Sequence, residues 1–138
     1  MLFRSIDHDA EVAARLALPA SSPLVKIERL RETGDEPFAL ETCYLPAREF
    51  ADLAKAPLGR SSLFATLQQN YGVELAYADE EVDATTAEAN VAELLEVPRG
   101  AAVLRIRQVI YSTKAKATIY VIGFYRSERH TLFIRRFR

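Results

Sequence analysis

Two arginines and a glutamate are the residues best placed to do chemistry. Arg29 and Arg31 lie in the run Val25-Lys-Ile-Glu-Arg-Leu-Arg31, and Glu41 follows on the next apolar segment. A guanidinium presents a planar fork of donors that matches a carboxylate or phosphate. On a strand, side chains alternate between faces, so Val25, Ile27, Arg29 and Arg31 share one face. On the returning strand, Ala39, Glu41, Cys43 and Leu45 share a face by the same rule. A three-residue turn centred on Asp35 would place Arg29 across from Glu41, Ile27 across from Cys43 and Val25 across from Leu45. A two-residue turn would break that matching, so packing selects the longer one. Half-buried charge is costly unless paired. The trio therefore forms either a cross-strand Arg29–Glu41 ion pair that closes the sheet, or a pocket wall in which arginines meet an acidic ligand and Glu41 orients them.

Other residues have narrower uses. Ser61 and Ser62 precede a short apolar-periodic run, where a hydroxyl and free backbone N–H groups form an ordinary N-cap or a small anion seat. Tyr125 and Arg126 end a strand, where an aromatic beside an arginine can stack on a ligand or simply lie half in the core. Arg105 lies on one face of its strand, and Ile106 with Gln108 on the other. Catalysis finds little support. No nucleophile elbow, zinc-protease, Walker or dinucleotide motif is present. Cys43 reads as an inert strand thiol, His8 and His130 form no dyad, and Glu80-Glu81 reads as a solvated strand edge. No metal or cofactor is expected. The basic end Arg135-Arg136-Phe137-Arg138 reads as a solvated terminus.

The elements that must hold these residues follow from length and pattern. The chain has 138 residues, 49% hydrophobic and 27% charged, with a formal net charge of -1. That is one domain with enough apolar content for a core, which excludes disorder. A single cysteine excludes a disulfide scaffold. Near-neutral charge argues against a nucleic-acid binder, although fourteen of the 18 basic residues are arginine. That skew fits local anion recognition or a solvated arginine surface. No apolar run suits a membrane span or signal peptide, so no membrane partner and a cytoplasmic location are expected.

An offset of 79 residues superimposes two segments. Val12, Ala13, Leu16, Pro19 and Ile27 fall on Val91, Ala92, Leu95, Pro98 and Ile106. With one residue of slip the match extends to Tyr44 beside Phe124 and Tyr125. The period is too long for a solenoid, so the chain reads as two copies of a helix–hairpin unit. The pattern predicts helices over 8–17, 47–54, 62–70 and 86–95. It predicts strands over 24–32, 37–45, 73–83, 102–112, 117–126 and 130–137. Residues 58–60 are expected as a loop, with Gly72 as a left-handed helix terminator. Thr85-Thr86-Ala87-Glu88 is expected as a capping box. The sum is an α+β domain: an antiparallel sheet of about six strands with helices packed on it.

The ordered set Val25–Arg31, Pro37, Glu41-Thr-Cys-Tyr-Leu-Pro46, Ser62-Leu-Phe64, Tyr71-Gly72, Ala92–Gly100, Tyr125-Arg126 and Arg129 resembles a UTRA domain. Such domains are the C-terminal effector-binding halves of GntR-type transcription regulators of the HutC subfamily, with a fold similar to chorismate lyase. The resemblance implies a small acidic metabolite as effector, a homodimer, and DNA contact only through an N-terminal winged helix-turn-helix. Position by position, it implies Arg29, Arg31, Glu41, Ser61, Ser62, Tyr125 and Arg126 as effector-binding residues. Two departures stand out. Many members carry Pro-x-Glu where this chain has Ala117-Thr118-Ile119, which disfavours a hydroxyl-rich hexosamine phosphate and favours a more apolar acid. The winged helix-turn-helix is also absent before helix one, so these residues alone are not expected to bind an operator. They would be an excised domain or a stand-alone ligand-binding protein. The rivals are a chorismate-lyase-like enzyme and a dimerisation module without a ligand.

Overall fold

Leu24–Thr33 (β2) and Glu36–Pro46 (β3) form the hairpin on which the site is built. The computed structural model describes residues 2–55 and 62–137, and the loop expected over 58–60 lies outside them. The remaining strands are Leu2–Asp7 (β1), Leu75–Thr86 (β4), Ala102–Ser112 (β5) and Ala117–Arg126 (β6). All pair antiparallel in one sheet of order β1-β2-β3-β6-β5-β4. The helices are Ala10–Arg15 (α1), Ala47–Phe50 (α2), Leu63–Tyr71 (α3) and Ala89–Leu95 (α4). A 3-10 turn, Ala51–Ala54, continues from α2.

The duplication is visible in the backbone. The unit β1-α1-β2-β3 repeats as β4-α4-β5-β6. Ala17 and Glu96 both adopt left-handed φ, of 54° and 56°. In each copy the next residue bonds back into its helix, Leu18 N–H to Ala13 C=O and Val97 N–H to Ala92 C=O. That 6→1 bond is how a helix ends on a left-handed residue. It recurs 79 residues on, without a glycine to favour it.

The helices lie on both faces of the sheet. α1 and α4 cover one face: Val12 and Leu16 pack on Leu24, Tyr44, Val109 and Tyr120, and Val91, Ala92 and Leu95 on Leu40 and Val103. α2, the 3-10 turn and α3 cover part of the other face. There Phe50, Leu53, Leu63 and Leu67 pack on Val25, Ile27, Leu45, Ile110 and Ile119. Buried leucines at such sites contribute a few kcal/mol each, on the order of 2–5 on truncation to alanine.

Three expectations are corrected. The sixth strand is β1, not residues 130–137, which form neither helix nor strand. β4 runs through Thr86, so Thr85 is in the sheet and no capping box forms. Glu88 is the N-cap of α4 and its side chain makes no cap bond. The β2–β3 turn has two residues between the paired Thr33 and Glu36, yet Arg29 still opposes Glu41. The register shift between Arg31 and Glu32 restores the matching that a short turn would otherwise break.

Candidate functional site

The α2/α3 face is covered over only part of its area. Where the cover ends, the arginines of β2 stand above the sheet beside a cavity of about 330 Å³. The floor is sheet and one wall is the beginning of α3. Arg29, Arg31, Glu41 and Gln108 bring polar atoms to it, with Ser62 at its rim. Ile27, Ile110, Val121, Leu63 and Phe64 make it largely apolar otherwise, which suits a ligand with a hydrocarbon body.

The expected Arg29–Glu41 ion pair does not form, although the two residues are register partners. Glu41 instead reaches diagonally to Arg31, whose Nε donates to Glu41 Oε1. The second oxygen of Glu41 accepts from the Tyr125 hydroxyl at 3.0 Å. The carboxylate is thus held on both sides. No carboxylate among the described residues pairs with Arg29, which is half-buried at the cavity. An arginine in that position has donors to offer a bound anion, and its charge favours one.

Tyr125 is positioned by a glycine. A β-carbon on Gly123 would lie 2.7 Å from Tyr125 Cε2, so the ring occupies the space a side chain would fill. The His130 ring packs against it, with centroids 4.3 Å apart and planes tilted by 31°. Burial raises the Tyr125 pKa above its ordinary value, with Arg31 acting in the opposite direction. The phenol therefore stays protonated at neutral pH and donates to Glu41. Cys43, also at the cavity, has its thiol pKa pushed up to about 11 by burial, against the pull of Arg29 and Arg31. It is not a nucleophile at neutral pH.

Ser62 is the N-cap of α3: its Oγ accepts from Ala65 N–H at 3.1 Å, and its carbonyl accepts from Thr66. Leu63 and Phe64, at the cavity wall, are left as first-turn N–H groups without an intrahelical partner. Gly72 ends α3 at φ 65°, a left-handed conformation that glycine adopts without steric cost. Ser61 lies outside the described residues.

Arg126 does not join the site. It follows Tyr125 by one residue on a strand, so its side chain emerges on the opposite face. There its Nε donates to Glu128 at 2.6 Å, and its Nη1 lies 3.3 Å from both the Pro37 carbonyl and Glu36. Arg129 adds contacts of 2.7 and 2.6 Å to the two oxygens of Glu36. Both arginines fasten the chain beyond β6 to the β2–β3 hairpin.

Gln108, Phe64, Gly123 and His130 were not singled out as site residues from the sequence. The 79-residue offset contains a signal for one of them, because it places Gln108 where the first copy has Arg29. The same offset places Ile110 on Arg31, and the one-residue slip places Val121 on Glu41. The two copies thus furnish unlike halves of the cavity: one charged, one neutral. No group of three or more His, Cys, Asp or Glu among the described residues could hold a metal ion.

The comparisons with known proteins agree with this architecture. The family model described as "UTRA domain" matches residues 1–131. The HTH-type transcriptional repressor NagR of Bacillus subtilis is 27% identical over 94% of this chain and 53% of its own length. The chain therefore spans about half the length of that relative. A GntR-family transcriptional regulator from Enterococcus faecalis superposes with a TM-score of 0.86, at 24% identity, over 99% of this chain and all of that one. The effector domain of PhnF from Mycobacterium smegmatis superposes with a TM-score of 0.83, at 24% identity, over 94% of this chain and 82% of that one. With the fold shared and the family match running from the first strand past the arginine clamp, the chain belongs to the UTRA domain family.

Proposed function

We propose that this domain binds a small acidic effector bearing an apolar body, and that binding controls a GntR-type transcription regulator. The observation that carries the reading is Arg29. It stands at an apolar cavity with no carboxylate partner among the described residues, while Glu41 is occupied by Arg31 and Tyr125. The ligand's anionic group meets Arg29, with the outer donors of Arg31, Ser62 and the first N–H groups of α3 within the same cavity wall. Its hydrocarbon lies against Ile27, Ile110 and Val121. Glu41 and Tyr125 orient Arg31 rather than bind the ligand directly. Ile119 is fully buried in the core beneath α3, where it offers a ligand no hydroxyl partner.

In the whole regulator the domain works as a homodimer in the cytoplasm. An N-terminal winged helix-turn-helix contacts DNA, and the effector shifts its affinity by binding one arrangement of the dimer better than another. No turnover is part of this reading. Calorimetric titration of the chain with hexanoate, benzoate and glucosamine 6-phosphate tests it. The expected result is saturable binding of an apolar carboxylate, weakened by salt, with weaker binding of the sugar phosphate. Release of 4-hydroxybenzoate from chorismate would instead favour a lyase.

A further inference from the structure

A row of register partners crosses the sheet beneath the cavity beside Arg29. Ile27 lies beside Cys43, Cys43 beside Val121, Val121 beside Gln108 and Gln108 beside Glu80. The first four line the cavity. Its floor is therefore apolar from β2 through β6 and turns polar at Gln108 on β5. Arg29 stands two residues from Ile27 on the same face. Three strand spacings, roughly 14 Å of backbone, separate β2 from β5. With Arg29 and Gln108 reaching in from the two sides, a short acid held by Arg29 can lie along this row with its far end at Gln108.

Gln108 is not free to offer either end of its amide. Its Nε2 donates to Glu80 Oε1 at 3.1 Å. A carboxylate can only accept, so Glu80 fixes the amide with its nitrogen toward β4. The carbonyl Oε1 of Gln108 then has no donor among the described residues, and it is not sealed from solvent. The other polar groups of the cavity are of the opposite kind or are already engaged. Arg29 and Arg31 carry only donors. The two oxygens of Glu41 accept from Arg31 and Tyr125, and Ser62 Oγ accepts from Ala65. Gln108 Oε1 is thus the one unengaged side-chain acceptor among the described residues lining the cavity.

We propose that Gln108 sets the specificity of this cavity, and that the effector is an acid whose apolar body ends in a single N–H or O–H donor bonded to Gln108 Oε1. An acceptor at that end, such as a second carboxylate, meets Oε1 lone pair to lone pair and faces the charge of Glu80, so it is rejected. The inference rests on the acidic-effector reading above and deepens it by naming the group at the far end of the ligand.

The test is calorimetric titration of the chain with hexanoate, 6-hydroxyhexanoate, 6-aminohexanoate and adipate, repeated with Gln108→Met, Glu80→Leu and Arg29→Ala. The wild-type chain is expected to bind both donor-ended acids at least about fivefold more tightly than hexanoate, the worth of one net hydrogen bond, and adipate most weakly. Gln108→Met is expected to lose that preference. Glu80→Leu lets the amide turn, so discrimination against adipate is expected to narrow. Arg29→Ala is expected to weaken all four acids. Donor-ended acids that bind no better than hexanoate, while hexanoate binding depends on Arg29, overturn this inference alone. So does a preference that survives Gln108→Met undiminished. Circular dichroism of each variant establishes that it is folded. If Gln108→Met does not fold, Glu80→Leu, at an exposed position, decides: unchanged rejection of adipate overturns the inference. No binding of any of the four acids overturns the acidic-effector reading and this inference with it.

Discussion

Arg29 stands at an apolar cavity with no carboxylate partner among the described residues, while Glu41 is engaged by Arg31 and Tyr125. Replacing Arg29 by alanine is expected to weaken an acidic ligand by about ten- to a hundredfold, the 1.5–3 kcal/mol of a hydrogen bond to a charged group. Its melting temperature should barely move. Arg126→Ala should do the reverse. Ligand affinity should stay unchanged, while stability drops by about 1–2 kcal/mol as the clamp on Pro37 and Glu36 is lost. Paired thermal melts and titrations separate the two. Gly123→Ala is expected to displace the Tyr125 ring, lowering both stability and affinity, since its new β-carbon would lie 2.7 Å from that ring. Cys43 supplies a pH reading. Its pKa of about 11 lies above the ordinary thiol value, so the folded state keeps its proton where the unfolded chain would lose it. Its contribution to stability is complete below about pH 9 and declines as pH rises toward 11. Iodoacetamide labelling should be slow at pH 8, faster toward pH 11, and slower again with ligand bound. At this scale the alternation rule placed Arg29, Arg31 and Glu41 on one face correctly. It could not tell which arginine Glu41 would choose, because that depends on side-chain reach rather than register. It also separates Tyr125 from Arg126, a distinction the resemblance alone did not make.

At the scale of elements, caps and bulges decide what the site looks like. Ser62 begins α3 at the cavity wall, so Ser62→Ala should cost about 1 kcal/mol through the lost bond to Ala65. If its effect on ligand affinity exceeds its effect on stability, the helix start contributes to binding as well. A denaturation series set against titration of the same variant measures both. The hairpin register was legible from packing, because pairing Ile27 with Cys43 and Val25 with Leu45 buries the right face. The route to it was not legible. The turn is one residue shorter than expected and a bulge after Arg31 compensates, and bulges leave little trace in hydrophobic pattern. β1 was missed because Leu2–Asp7 is short, of mixed polarity and at a terminus. The reverse error befell 130–137. Its Leu132-Phe133-Ile134 and Phe137 favour a strand, yet it pairs with no strand among the described residues. The α4 entry failed for a related reason: Thr85 and Thr86 have both cap chemistry and β-propensity, and the sheet claims them.

Over the whole molecule, duplication supplies the symmetry and the site departs from it. The two copies share helix endings, hairpins and core residues. At the cavity, Arg29, Arg31 and Glu41 face Gln108, Ile110 and Val121 from the other copy. A ligand that fits is correspondingly lopsided, anionic at one end and apolar at the other. Arg31, Glu41, Tyr125 and His130 form one chain of contacts that runs from the cavity to the start of the exposed segment 131–137. The most direct test is the melting temperature of the chain and of Arg29→Ala with hexanoate, benzoate and glucosamine 6-phosphate at millimolar concentration. Ligand binding should add RT ln(1 + [L]/Kd) to the stability and so raise the melting temperature. The account predicts a rise for the wild-type chain with an apolar carboxylate that disappears in Arg29→Ala. A rise of equal size in both chains, or none with any of the three anions, would contradict it.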